Sequence, residues 1–495
     1  MTKRREAIAF ATTAAAIGAG FVIAQVVRAG EPLGLDQGLF ACFGRWLRAG
    51  WLPYRDLFDS KPPLHLYTWV LAWAGGSTAS AWWFEAIWLA ATSGVAYVVA
   101  RRWWGAWSGL AAAALVLAGL WTPGFGGYWS RLQAEELLVL PLLGAAAWAV
   151  VAMGRARAAL ACGACMGLVG LYKVPGLALC GAWLVLWFAA LSPREAGRRC
   201  AWFAAGLVAP WLVASAWFAA HGAFGAFCNS VFVYQRHWIA MIDPPWHDVV
   251  DQFTSTATHE LAPFLVAAAA GIALMWRRDR PRALCLIAWT GCAGLAVVLQ
   301  RQLAGYHFLL LVPGLAFAAA YGLVELARRT LAYRLALVPI GALLALALAG
   351  WRHYAEPQRH GTFDPAAETA IAAYIAAHSQ PSDGILIWAL DPGIYALADR
   401  HPVTRFPFHR LLLTDARLAR EVPGRDDRRV ELLARIATDP PAFVVVGNHD
   451  ANPFEPDSVT SLLAFRELST IVQRDYHEAL RTGHFVVLAR NPATR

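Results

Sequence analysis

The stretch Pro62-Pro-Leu-His-Leu-Tyr-Thr-Trp-Val-Leu-Ala-Trp-Ala-Gly75 decides how this chain is arranged. It is apolar, yet it is shorter than the roughly 20 residues that a helix needs to cross a bilayer, and it opens on two prolines. It is therefore read as a helix lying in the membrane interface. Outward from it, about eleven longer apolar stretches follow one another, near 7–27, 79–100, 106–120, 136–153, 157–171, 175–191, 199–220, 260–276, 283–299, 304–325 and 332–350. With the N-terminus cytoplasmic, the arginine clusters at Arg101/Arg102, Arg155/Arg157, Arg194/Arg198/Arg199, Arg277/Arg278/Arg280/Arg282 and Arg328/Arg329/Arg334 all fall on the cytoplasmic side. That is the side where cationic loops are retained. Counting 62–75 as a crossing would move every cluster outside.

Composition agrees. Of 495 residues, 58% are hydrophobic and 15% charged, against about 25% charged in a typical soluble chain. This excludes a disordered protein, a collagen-like chain and an ordinary cytosolic enzyme. The net charge of +9 belongs to topology and not to nucleic-acid binding. The first apolar run reads as an uncleaved span. Cys162 and Cys165 form a CxxC within Gly and Ala, with no second pair at zinc-ribbon spacing, and read as packing residues. The fold class is a mainly α-helical polytopic membrane protein with interfacial helices, residues 1–351. It is followed at 352–495 by an external α/β domain, with helices at 364–378 and 428–437 and strands at 385–390, 443–446 and 485–489.

An odd number of spans leaves the long loops at 28–78, 121–135 and 221–259, and the turns at 172–174 and 300–307, on the external side. Loops of such length are uncommon unless functional. The apolar residues Phe40, Phe43, Trp46, Trp238, Ile239 and Met241 suggest that the first and fourth segments rest on the membrane surface. Asp36 stands at the outer end of the first span, either as a helix N-cap or as a carboxylate whose partial desolvation suits a general base. Asp56 and Asp59 either share a helical turn and hold a cation, or set the turn that leads into Lys61. Glu135 and Glu136 stand at the mouth of a span, either compensating the helix dipole or serving function, as acids at that depth do. Of 42 basic residues only Lys3, Lys61 and Lys173 are lysines. Lys61 and Lys173 both fall on the external face, where cations do not set topology and a compact ammonium suits phosphate.

The order of these elements carries a resemblance. An acid after the first span, the stretch Tyr54-Arg-Asp-Leu-Phe-Asp-Ser-Lys-Pro-Pro63, Arg131 followed by Glu135, and Tyr306-His-Phe-Leu-Leu-Leu-Val-Pro313 together resemble the GT-C membrane glycosyltransferases. The similar branch is the bacterial one, glycosyltransferase family 39, related to protein O-mannosyltransferases and lipid A aminoarabinose transferases. The stretch 385–400 also resembles that branch. The resemblance implies a GT-C fold in the bacterial inner membrane. It implies transfer of a sugar from a polyprenyl-phosphate donor to a glycan, lipid or protein acceptor on the non-cytoplasmic face. Residue by residue, it implies Asp36 as the main catalytic acid, Glu135 as the acid of the second loop, and Lys61 as the lysine before Pro-Pro. Arg131, Lys173, Tyr306 and His307 would lie near the donor phosphate. Many relatives have two acids where this chain has Asp36-Gln37, which weakens the case for a divalent metal and leaves it open; no other cofactor is implied. The rival reading is a polytopic transporter or lipid flippase, against which stand the elaborate external loops and the lack of two related halves.

Overall fold

The structure is a computed structural model, and it describes residues 3–121, 130–241, 244–329, 364–409, 412–413, 423–451 and 456–492. The expected span at 332–350 and the boundary at 351/352 lie outside the described residues. Each of the other ten apolar stretches is helical. Among the described residues, six helical segments are long and apolar enough to cross a membrane: Glu6–Arg28, Thr78–Trp104, Ala134–Gly154, Pro193–Ala220, Arg280–Leu299 and Gly305–Arg328. Trp246–His259 and Ala262–Trp276 meet at 78°, and three shorter apolar helices, Ala106–Leu120, Ala158–Tyr172 and Val174–Ala190, complete the set.

In chain order the helices are α1 (Lys3–Arg28), α2 (Leu35–Arg48), α3 (Pro63–Ala72), α4 (Thr78–Trp104), α5 (Ala106–Leu120), α6 (Ala134–Leu137), α7 (Val139–Gly154), α8 (Ala158–Tyr172) and α9 (Cys180–Ala190). They continue as α10 (Pro193–Ala220), α11 (Phe224–Cys228), α12 (Gln235–Met241), α13 (Trp246–His259), α14 (Ala262–Trp276), α15 (Arg280–Leu299) and α16 (Val312–Arg329). Apolar helices gain little from hydrophobicity against one another in lipid, so close backbone approach has to hold them. The α8–α10 pair shows how: a Cβ on Gly163 would stand 2.0 Å from the Phe203 carbonyl oxygen, and one on Gly206 2.0 Å from that of Leu160.

The deciding stretch forms α3, ten residues long, with Pro62 as N-cap and Pro63 at its first position, where a missing N–H costs nothing. It packs on α2. This corrects the expectation for the first loop. Phe40, Phe43 and Trp46 do not face lipid; Phe40 and Phe43 are fully buried, because α2 is clamped between α3 and the C-terminal unit. The fourth external segment is helical, with α11, a π-helical turn at Asn229–Tyr234, α12 and α13.

The C-terminal unit contains α17 (Pro365–Ala377), α18 (Gly393–Ala398), α19 (Arg425–Thr438), α20 (Ser458–Ala464) and α21 (Arg466–Asp475). Its four strands are β1 (Ile385–Trp388), β2 (Phe443–Gly447), β3 (Tyr476–Thr482) and β4 (Phe485–Arg490), in the order β1-β2-β4-β3. β1 and β2 are parallel with Ile385 opposite Phe443, and β4 runs antiparallel to both β2 and β3. β3 escapes the sequence reading because Tyr-His-Glu-Ala-Leu-Arg-Thr is an edge strand, mostly open to solvent, without a run of β-branched residues.

Two seams join this unit to the first loop. A Cβ on Gly38 of α2 would lie 2.7 Å from the Gly393 Cα at the start of α18, so two glycines let the helices touch backbone to backbone. Nearby, Arg45 pairs with Asp399 at 2.5 Å. At the second seam the Phe58 N–H donates to the Arg405 carbonyl (2.7 Å), and Arg405 Nη1 donates to the Tyr54 carbonyl (3.2 Å).

Candidate active site

Where these elements meet, a cavity of about 620 Å³ opens. Its wall combines the first turn of α2, the turn at 59–62, the turn after α8, the π-helical turn with α12, the segment 300–307, and the C-terminal unit through Leu390, Pro392 and Phe408. Six residues chosen from sequence line it together: Asp36, Asp59, Lys61, Lys173, Tyr306 and His307.

Asp36 sits in the first turn of α2, whose N-cap is Gly34 without a side-chain capping bond, so the N-cap reading of Asp36 falls. Its Oδ2 accepts instead from Gln133 Nε2 at 2.8 Å. Asp59 sets the turn into α3, because its Oδ1 accepts from the Lys61 N–H at 2.8 Å. The Lys61 ammonium lies 3.9 Å from Asp59 Oδ2 and 4.6 Å above the Phe40 ring. Burial works against its charge, but Asp59, Asp36 and Glu135 outweigh burial and raise its pKa, so it stays an ammonium.

Lys173 breaks off the end of α8 and its ammonium lies 2.6 Å from Glu135 Oε1. His307 Nε2 stands 3.6 Å from the same oxygen, and the Tyr306 ring 6.0 Å from the Lys173 nitrogen. Tyr306 and His307 belong to a 3₁₀ segment, Gly305–Leu311, that precedes α16. Glu135 is fully buried in the first turn of α6, behind the lysine and not on the cavity wall.

Three chosen residues stand elsewhere. Asp56 accepts from the Leu52 N–H (2.8 Å) and pairs with Arg55 (2.7 Å), so it is a turn residue outside the cavity wall. Glu136 is buried and its Oε1 accepts from the Leu132 N–H at 3.4 Å. Arg131 needs the largest correction, because it does not reach the cavity. Its Nε (2.9 Å) and Nη2 both donate to Glu85 Oε2, and its Nη1 donates to Glu31 Oε2 (2.7 Å) and to the Arg28 carbonyl (2.9 Å). The guanidinium lies 3.6 Å over the Trp82 ring. A guanidinium so fully engaged has no face left for a phosphate.

Sequence reading missed part of the wall. Arg236 lines it, together with Gln235, Trp238 and Ile239, from a segment expected to rest on lipid. The signal was present: Arg236 is the one Lys or Arg between His221 and His259, in a segment expected on the same side as the two lysines. The π-helical turn, a form often found at functional sites, brings Val231 and Tyr234 to the wall.

Among the described residues no three His, Cys, Asp or Glu side chains gather to hold a metal ion. Glu135 already faces the Lys173 ammonium and Asp36 the Gln133 amide. This donor set does not fit a bound divalent cation.

The described architecture is the GT-C fold. Crystal structures of ArnT from Cupriavidus metallidurans match it in full length. The form bound to undecaprenyl phosphate gives a TM-score of 0.62 at 18% identity over 99% of each chain, and the apo form 0.61 at 18% over 97% of each. The Archaeoglobus fulgidus oligosaccharyltransferase in its apo form matches at 0.53 and 14% identity, over 88% of this chain and 69% of that one. No family model and no curated protein sequence matches the chain.

Proposed function

We propose that this protein is a membrane glycosyltransferase that moves a sugar from a polyprenyl-phosphate donor to an acceptor hydroxyl on the non-cytoplasmic face. The observation that supports the reading is one cavity lined both by a carboxylate, Asp36, and by the ammonium-bearing residues Lys61 and Lys173. The fold shared with ArnT bound to undecaprenyl phosphate supports the donor class.

The chemistry follows from those groups. The acceptor oxygen attacks the anomeric carbon as its proton passes to the Asp36 carboxylate. The bond from that carbon to the phosphate oxygen breaks, and the electron pair leaves with the polyprenyl phosphate. The departing charge is met by Lys61, Lys173 and Arg236, with Tyr306 and His307 as hydrogen-bonding partners. A phosphate is a good leaving group, so no second carboxylic acid is required, unlike in glycosidases. Glu135 then acts behind Lys173, holding its ammonium in place. A single displacement inverts the anomeric configuration. The N-terminus is cytoplasmic in this reading, with the C-terminal unit and the cavity outside, in a bacterial inner membrane.

The test is a panel of undecaprenyl-phosphate hexoses and pentoses incubated with purified protein, scored by release of free undecaprenyl phosphate in the presence of membrane acceptors. One member of the panel is expected to turn over. Asp36→Asn is expected to abolish transfer with expression and donor binding nearly intact, and wild-type activity in that variant would remove Asp36 as the base. No release from any donor, together with solute or lipid movement in proteoliposomes, would favour a transporter or flippase.

A further inference from the structure

The base has a support that the transfer chemistry alone does not call for, and from it we infer that Gln133 is a positioning residue that aims the Asp36 carboxylate at the acceptor hydroxyl. This rests on the reading of Asp36 as the base. Gln133 does not line the cavity and touches no substrate; it acts through Asp36.

Three observations carry it. The first is the chemistry of the donor. Gln133 Nε2 takes one oxygen of the carboxylate, Oδ2, at 2.8 Å, and among the described residues Asp36 Oδ1 makes no hydrogen bond. One oxygen is therefore anchored, and the other is left to accept a proton from the cavity side. An amide is neutral, so it fixes the rotamer without neutralising the charge that makes the carboxylate basic. A lysine or arginine here would do both.

The second is how Gln133 is held. It is 1% exposed and follows Leu132, a buried non-glycine residue at φ 53, in the left-handed region. Such a conformation is strained for a non-glycine residue and persists only where its surroundings enforce it. Here they do. Arg131, one residue earlier, is locked by Glu85, Glu31, the Arg28 carbonyl and Trp82. The Leu132 carbonyl accepts from Trp69 Nε1 at 3.3 Å, and Gln133 itself is the N-cap of α6. The buried ion cluster thus fixes a short turn whose last side chain is the one that meets Asp36.

The third is reciprocity. Gln37, the residue after Asp36, sends its Nε2 back to the Arg131 carbonyl at 2.8 Å. Two amide side chains, one from each side, clasp the first turn of α2 to the turn 131–133. Side-chain bonds of this kind set both the position and the rotation of the helix that carries the base.

The experiment separates orientation from binding and from folding. Gln133→Met keeps the side chain's length and burial and removes the donor. In the full-length protein, with the undecaprenyl-phosphate sugar selected by the panel, kcat is expected to fall roughly 10- to 100-fold, as for a lost hydrogen bond to a charged group or a misplaced catalytic group. The donor KM and the melting temperature in detergent are expected to stay near wild type. Gln133→Asn, which keeps the amide but is one carbon too short, is expected to show the same split and serves where the Met variant does not fold. Wild-type kcat in either folded variant, beside an inactive Asp36→Asn, overturns the inference and leaves the base in place. A loss of kcat matched by a rise in KM and a fall in melting temperature also overturns it, since that marks a structural role. Full activity in Asp36→Asn removes the base and the inference together.

Discussion

At the scale of single residues, rarity was more informative than residue type. Lys61 and Lys173 stood out because a chain that writes its cations as arginine has only three lysines, and both of these line the cavity. Arg236 obeys the same logic and was hidden only by the aromatic residues around it. Arg131 shows the limit of motif spacing: the order of residues marks it, but nothing in the order reveals Glu85, 46 positions earlier, which absorbs its charge. Lys61 gives a direct check. With Lys61 in the proposed phosphate site, Lys61→Met is expected to raise the donor KM roughly 10- to 100-fold, with Lys61→Arg recovering part of the loss. Initial-rate measurements against donor concentration decide this, and an unchanged KM for Lys61→Met would take Lys61 out of the phosphate site.

Among the elements, α2 concentrates the argument. Its amphipathic pattern was plain in the sequence, but its apolar face was assigned to lipid because its true cover, α18, lies far along the chain. A pattern of burial says that a face is covered and is silent about by what. The Gly38–Gly393 contact is what admits that cover, so Gly38→Val should prise α18 from α2. A Cβ there would meet Gly393 Cα at 2.7 Å, both sides being backbone that cannot swing away. Overpacking of this kind costs about 1–3 kcal/mol. The expected result is faster proteolysis of the C-terminal unit, a lower melting temperature and reduced transfer. Gly30→Ala, where a Cβ meets nothing within 4 Å, is the matched control and should behave as wild type.

For the whole molecule, the helical stretches were readable from hydropathy because lipid imposes length and composition together. The edge strand β3 and the seams between the two parts were not readable, since both depend on partners distant in sequence. One of those seams carries a pH signature. Glu368 and Asp391, neighbouring carboxyls nearly fully buried beside the α18 contact, both have pKa values raised by burial and, for Glu368, by the neighbouring Asp391 charge. His484 Nε2 lies 3.9 Å from Asp391 Oδ2, and Asp364 and Asp450 add further negative charge. The folded state therefore binds more protons than the unfolded one above the ordinary carboxyl range, near 4. The stability these groups contribute is present at low pH and is lost as pH rises through their raised folded values. Melting of the full-length protein should show a decline toward neutral pH that Glu368→Gln flattens; a slope unchanged in that variant would remove the pair as its source. The seam has a last consequence, for biosynthesis. Arg45 and Asp399 are 354 residues apart, an interval that a ribosome covers in on the order of tens of seconds. Until then a nascent chain already inserted in the membrane holds Asp36 and Lys61 without the wall that closes around them. If the proposed function holds, products of translation interrupted before Asp399 would sit in the membrane without consuming donor.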